Sequence, residues 1–264
     1  MPPDTDTQPH VRYRHAPLAR SPLACERRDD GTLILRALDP PVDAPATGFS
    51  TYVAQWAASL GDTVAFAQKT ADGAWHGIGW TMFHAQMLAA AARLLALRGS
   101  RSGPLMILTG NSIEQAVLTL AAEYAGMPVA PVSPSHALRG PAFNSLREIA
   151  AMLEPALVFA QSGRAHAAAI DAVASPGCSV LVAQDAQPGQ VAWHELCAAD
   201  VPASLAMRLR QARAAIAPRD IARIFFTSGS TGAPKGVLLS YDVLSRSSAQ
   251  ALYMHRAMPP QPLI

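Results

Sequence analysis

Between Ile224 and Leu239 the chain reads IFFTSGSTGAPKGVLL, two apolar runs enclosing ten residues, Thr227 to Gly236, with four hydroxyls, three glycines and one lysine. Glycines let the backbone turn its N–H groups toward one point, hydroxyls donate further hydrogen bonds, and a lysine adds a compact positive charge. Such a loop suits a polyphosphate. Basic residues number 21 in this chain, yet only Lys69 and Lys235 are lysines, and Lys69 stands apart from any motif. Pro234 fixes the backbone immediately before Lys235 and limits where the ammonium can reach.

Spacing separates this loop from other glycine-bearing signatures. A Walker A loop requires Gly-Lys-Ser/Thr, whereas Lys235 lies between Pro234 and Gly236. The dinucleotide fingerprint G-x-G-x-x-G fails because Gly229, Gly232 and Gly236 stand three and four residues apart. Neither Ser228 nor Ser230 has a glycine two residues away on both sides, so no nucleophile elbow is present. Elsewhere His194-Glu195 begins a zinc-like H-E-x-x-H, but the fifth residue is Ala198, and no metal site is assigned. The histidines are dispersed, Met82, Met87, Met106, Met127 and Met152 read as core filling, and Trp193 reads as the anchor of a small amphipathic segment. Arg208, Arg210 and Arg213 near Arg219 read as a solvated basic face, and Cys178 and Cys197, in apolar surroundings, as inert thiols.

The elements that must position the loop follow from hydrophobic period and turn chemistry. Residues 1–46 are rich in Pro, Asp and Arg and read as a mobile arm with one short strand, Thr32–Leu38, after the Asp30-Gly31 turn. Phe49–Leu60 is a helix; Val64–Gln68 and Trp75–Ile78 form a hairpin about Asp72-Gly73; a helix capped by Thr81 runs to Gly99. Leu105–Leu108 is a strand, and Asn111 with Glu114 three residues on forms a capping-box-like start for a helix to Tyr124. Strands at 127–132, 156–160 and 179–182 then alternate with helices at 145–153 and 164–173. After the polar stretch 184–190 come a helix at 202–215, a strand at 221–227, the short strand 236–239 and a helix at 242–256. Continuous apolar strands alternating with helices predict an α/β fold whose mostly parallel sheet is covered on both faces.

Composition bounds the rest. The chain has 264 residues, 50% hydrophobic and 15% charged, so a sizeable core is expected and wholesale disorder is excluded. Twenty-one basic residues against 19 acidic ones, without a basic stripe, make nucleic acid a poor partner. Three cysteines with no C-x-x-C spacing point to a reducing, cytoplasmic setting, and neither a signal-type leader nor an apolar membrane span is read.

TSGSTGAPKG resembles the phosphate loop of the adenylate-forming enzymes: acyl-CoA synthetases, peptide-synthetase adenylation domains and luciferases. Further segments resemble landmarks of their large N-terminal domain: Asp72-Gly73-Ala74-Trp75 with Trp80-Thr81, Asn111-Ser112-Ile113-Glu114, and Tyr124 to Val132. Glu26–Leu35 and Pro131–Leu138 are most similar to feruloyl-CoA synthases, enzymes of phenylpropanoid degradation. The resemblance implies that Thr227, Ser228, Gly229, Ser230, Thr231, Gly232 and Lys235 hold the β- and γ-phosphates of ATP while a carboxylate attacks the α-phosphate. It implies ATP, Mg2+ and CoA as substrates or cofactors and small carboxylic acids as partners. It also implies that residues 47–264 are the incomplete N-terminal AMP-binding domain, with the C-terminal domain absent. The family's magnesium-binding glutamate, ribose-binding aspartate and catalytic lysine are not found here, so no catalytic residue is named and the fragment is expected to be inactive. A stand-alone nucleotide-binding or interaction module and a non-functional truncation product are the alternative readings.

Overall fold

The computed structural model describes residues 22–39, 47–70, 72–134, 143–227 and 234–254, which fall into two units. One unit comprises residues 1–44 and 246–264. In it β1 (Leu23–Arg27) pairs antiparallel with β2 (Leu33–Ala37), so the region expected to hold one strand holds a hairpin. The missed strand, LACER, lacks a clean polar–apolar alternation, and Leu23 is 58% exposed. The turn is closed by Thr32 N donating to the Asp30 carboxylate at 2.9 Å, a bond that holds that carboxyl below its usual range. A 2.9 Å pair between Arg36 and Glu26 spans the ladder, more than half exposed at both ends and therefore worth little.

The second unit, residues 45–245, carries the sheet. It begins with α1 (Ser50–Leu60), the antiparallel hairpin of β3 (Val64–Lys69) and β4 (Trp75–Gly79), and α2 (Trp80–Arg98). The tilted rings of Trp56 and Trp80 pack with centroids 4.8 Å apart and those of Phe66 and Phe83 5.0 Å apart, which ties helix, hairpin and helix together. The chain then alternates: β5 (Leu105–Ile107), α3 (Ile113–Tyr124), β6 (Val129–Pro131), α4 (Asn144–Leu153), β7 (Leu157–Ser162), α5 (Ala167–Val173) and β8 (Ser179–Gln184). There follow β9 (Val191–Ala192), the one-turn α6 (Trp193–Leu196), α7 (Ala203–Ala214), β10 (Ile221–Thr227), β11 (Lys235–Ser240) and α8, which starts at Tyr241 and continues to Met254.

Seven strands form one sheet in the order β11-β10-β6-β5-β7-β8-β9, parallel throughout except for the antiparallel β10–β11 pair. The α/β expectation therefore holds. Strand alternation sends Leu105, Ile107, Leu157, Phe159 and Leu181 to a face covered by α1, α2, α3, α6 and α7. Their neighbours Met106, Leu108, Val158, Ala160 and Val182 go to the opposite face, under α4 and α5. Both faces are dry, which is why the strands read as continuous apolar runs.

Several boundaries differ from expectation. Gly79, not Thr81, caps α2, because Trp80 already has a helical place on the aromatic cluster. Ser112, not Asn111, caps α3: its hydroxyl accepts from Gln115 N at 3.1 Å. The strand after Met127 is only Val129–Pro131, and α5 starts three residues late because Gly163–His166 form a turn held by Ser162. Met87, Met106 and Met127 are fully buried, but Met82 and Met152 are 56% exposed. Trp193 packs against Phe159 at 6.4 Å, as its segment required. Arg213 leaves the basic face altogether. Its guanidinium lies 4.9 Å over the Tyr124 ring and donates to Thr47 O and the Thr51 hydroxyl, while Arg208 and Arg210 stay exposed.

Candidate functional site

Parallel strands end together, so the residues leaving β5, β6, β7, β8 and β10 lie along one edge of the sheet. From β5 the chain steps to β6 on one side and then returns across to β7 on the other. Strand order reverses there, and in open α/β sheets the crevice outside the carboxyl ends at such a reversal is where ligands bind.

A cleft of about 510 Å³ occupies that crevice, lined by Thr109–Ser112 after β5, Gln161 on β7, Gln184 on β8 and Gln68, Lys69 and Thr70 at the end of β3. Its walls are hydrogen-bonded to one another. Gln68 Oε1 accepts from Ile113 N at 2.8 Å at the start of α3. Thr109 donates to Gln161 at 3.3 Å, and Gln161 in turn donates to Glu114 at 3.4 Å. Behind them Ser162 donates to Asp185 at 2.8 Å and accepts from Ala165 N at 3.0 Å. Lys69, read from sequence as remote from any motif, thus stands at a cleft edge, 5.5 Å over the Trp75 ring.

The hydroxyl-rich loop joins β10 to β11. Thr227 and Lys235 face each other as the last pair of that ladder, both exposed, at the carboxyl end of β10. The structure therefore brings together two of the residues singled out by sequence. The others, Ser228, Gly229, Ser230, Thr231 and Gly232, lie outside the described residues.

At the opposite end of the same hairpin is a group of residues that sequence reasoning did not select. Arg223 on β10, 5% exposed, pairs with the fully buried Glu123 on α3 at 2.5 Å. The other carboxylate oxygen of Glu123 accepts from Ser50 N at 2.7 Å, and its backbone carbonyl accepts from the Tyr241 hydroxyl at 2.5 Å. Burial, reinforced by the Glu123 charge, pushes the Tyr241 phenol above its usual range. The available signal was a charge out of phase: a glutamate after Ala121-Ala122 in an apolar helix, and an arginine inside IARIFF.

Burial also pushes the Cys197 thiol up to about 12 and raises Cys178, so both are inert at neutral pH, as their apolar neighbours suggested. Among the described residues no three His, Cys, Asp or Glu side chains converge as metal ligands, so none is assigned to magnesium. Among the same residues no helix is long and apolar enough to cross a membrane.

The family described as AMP-binding enzyme matches residues 53–262. A 3-[(3aS,4S,7aS)-7a-methyl-1,5-dioxo-octahydro-1H-inden-4-yl]propanoyl:CoA ligase of Mycobacterium tuberculosis is 32% identical over 163 residues, 61% of this chain and 31% of the relative. An L-proline–[L-prolyl-carrier protein] ligase of Streptomyces coelicolor is 30% identical over 177 residues, 64% of this chain and again 31% of the relative. The chain thus spans just under a third of the length of these curated relatives. Among solved structures, acetoacetyl-CoA synthetase from Streptomyces lividans superimposes with a TM-score of 0.64 at 19% identity, over 81% of this chain and 33% of that one. That likeness shows a shared fold.

Proposed function

Since the chain belongs to the AMP-binding enzyme family, we propose that its Thr227–Lys235 loop holds the β- and γ-phosphates of ATP in an acid–CoA ligase reaction. A carboxylate oxygen attacks the α-phosphorus, the bond from that phosphorus to the bridging oxygen breaks, and pyrophosphate leaves. The CoA thiol then attacks the acyl carbonyl of the adenylate and AMP departs with the bonding electrons.

The observation that carries this reading is the Thr227–Lys235 pair at the carboxyl end of β10. A two-strand ladder fixes the Cα positions from which a hydroxyl and an ammonium enter the loop, so both are in place before the phosphates arrive. Fixed donors of this kind stabilise developing negative charge without reorganising. Lys235 is the counter-charge for the departing pyrophosphate, and Thr227 with the hydroxyls and amides of residues 228–232 supplies hydrogen bonds. Magnesium would neutralise phosphate charge when bound, and no step here is routed through it.

The acid is proposed to be aromatic and of the feruloyl class, on the likeness of Glu26–Leu35 and Pro131–Leu138. CoA is proposed as the acceptor on the likeness to the CoA ligase, the 32% identical relative. Residues 47–264 are proposed as part of the N-terminal AMP-binding domain, working in the cytoplasm.

Titration calorimetry with ATP and inorganic tripolyphosphate tests the loop. Losing one charge-assisted bond costs about 1.5–3 kcal/mol, so Lys235→Ala should weaken both ligands by roughly 10- to 100-fold. Arg208→Ala, an exposed cation on α7, should leave both affinities unchanged. Equal affinities for wild type and Lys235→Ala would refute the reading. Pyrophosphate exchange into ATP with aromatic and fatty acids would identify the acid; tight ATP binding without exchange would favour a nucleotide-binding module.

A further inference from the structure

We propose that Glu123 is a positioning residue: it anchors the root of the β10–β11 hairpin and thereby sets where Thr227 and Lys235 stand at its tip. The proposal rests on the phosphate-loop reading above and adds to it a residue on another element, 100 positions before its partner Arg223.

Among the described residues the hairpin joins the rest of the sheet near its root: β10 meets its parallel neighbour β6 at the single pair Arg223–Val129, while the ladder to β11 continues outward to Thr227–Lys235. The outer part is poorly packed, with Phe225 at 42%, Val237 at 44% and Leu238 at 59% exposure. Of the outer β10 residues Phe226 packs against the core face under α4 and α5, so the polar contacts at the root share with it in fixing the hairpin's direction. There Tyr241 N donates to Asp220 O at 3.1 Å and Asp242 N to Pro218 O at 2.9 Å, closing the hairpin base.

Both strands then converge on one residue. Arg223 reaches the Glu123 carboxylate from β10, and Tyr241, directly after β11, reaches the Glu123 carbonyl. Ser50 N takes the remaining carboxylate oxygen and so immobilises it from a third element, α1. Gly48 closes the pocket behind: a Cβ there would stand 2.5 Å from Glu123 Oε1. Both carboxylate oxygens are thus hydrogen-bonded, one to Ser50 and one to Arg223.

Leverage makes this consequential. Six residues separate the root from the tip, about 20 Å at a strand rise of ~3.4 Å per residue. A swing of ~3° at the root therefore moves Lys235 by about 1 Å, and a displacement of that size at a reacting group is able to cost on the order of 100-fold in rate. Arg223, Thr227 and the residue between them that shares their face, Phe225, follow the strand period of two, so rotation of Arg223 turns Thr227 in the same sense.

Hydrogen exchange and tripolyphosphate titration on the full chain test the proposal together. Tyr241→Phe removes one anchoring bond without removing bulk, and Glu123→Gln removes the charge. Each should speed amide exchange at Thr227 and Lys235–Ser240 by about five- to tenfold and weaken tripolyphosphate by a similar factor. Exchange at Leu105–Ile107 and Leu157–Ser162 should stay unchanged. Arg223→Lys, which keeps the charge, should restore more affinity than Arg223→Met. If Glu123→Gln fails to fold, Tyr241→Phe still decides. A folded Tyr241→Phe protein with unchanged hairpin exchange overturns the proposal, as does faster exchange with unchanged tripolyphosphate affinity. Lys235→Ala separates the two ideas, since it should lower affinity with hairpin exchange unaltered. Faster hairpin exchange in the anchor variants, with wild type and Lys235→Ala binding tripolyphosphate equally, would overturn the phosphate reading and leave the anchor standing.

Discussion

Replacing Gly48 by alanine tests the buried network through a single methyl group. Gly48 has φ +74, in the left-handed region, where a Cβ costs about 1–2 kcal/mol. The methyl would also stand 2.5 Å from Glu123 Oε1, 2.9 Å from Glu123 Cδ and 3.1 Å from Tyr241 Cδ1, all inside ordinary contact distance. Relief requires residues 47–50 to retreat by nearly 1 Å, which breaks the 2.7 Å bond from Ser50 N to the carboxylate. A hydrogen bond to a charged group is worth about 1.5–3 kcal/mol, so the total loss should be roughly 2.5–5 kcal/mol. Gly189→Ala is the matched control: its φ is +85, but no atom lies within 4 Å of the added Cβ, so only the backbone term of about 1–2 kcal/mol applies. Urea unfolding followed by tryptophan emission suits the comparison, because Trp56, Trp75, Trp80 and Trp193 all belong to the unit at residues 45–245. A Gly48→Ala loss within about 0.5 kcal/mol of the Gly189→Ala loss would refute the reasoning, since that is the scatter of unremarkable substitutions.

Ser112→Ala should cost about 1 kcal/mol, the usual value of an N-cap, while Asn111→Ala should cost less; equal losses by urea titration would put the cap on the wrong residue. Thiol titration at pH 8 should label the exposed Cys25 promptly and leave Cys178 and Cys197 until denaturant is added, and three equal rates would contradict their raised pKa values. Alkaline stability follows from Cys197 and Tyr241, whose folded pKa values both rise. In the window from the thiol's ordinary 9.0 to about 12 the folded chain binds more protons than the unfolded one. Stabilisation is complete below pH 9 and declines as pH rises, so the melting temperature should fall above that point. Cys197→Ala should remove part of the fall, and a flat profile to pH 10.5 would sink the assignment.

Sequence made the sheet's centre legible because those strands are buried on both sides: Leu105–Leu108 and Ala156–Ala160 read as strands from apolar continuity alone. The strand at Leu23–Arg27 was missed for the complementary reason, since an exposed two-stranded ladder imposes no apolar run. Caps were misplaced by one or two residues where neighbouring polar residues compete, as Asn111 and Ser112 do. The hydroxyl-rich loop stood out as a candidate phosphate site because its residues are contiguous in sequence. The cleft of Gln68, Lys69, Asn111, Gln161 and Gln184 was not, because four separate elements deliver it and no spacing along the chain records that meeting. Arg213 was misread for a related reason: its nearness in sequence to Arg208 and Arg210 suggests one solvated basic patch, and only the packing against Tyr124 shows it turned inward.

The hundred residues between Glu123 and Arg223 also set an order of events during synthesis. Strands β5 to β8 and helices α2 to α5 are complete once Gln184 has emerged, so much of the parallel sheet is able to form early. Throughout that interval the β6 edge is open and the Glu123 carboxylate is without its guanidinium. At about 5–20 residues per second the delay from Gln184 until Arg223 is made lasts roughly 2–8 s. For that time the nascent sheet carries both an unpaired strand edge and a carboxylate that must stay hydrated, which keeps α3 from seating fully. The last strand pair to be translated is then the one that desolvates the glutamate and closes the edge in a single step.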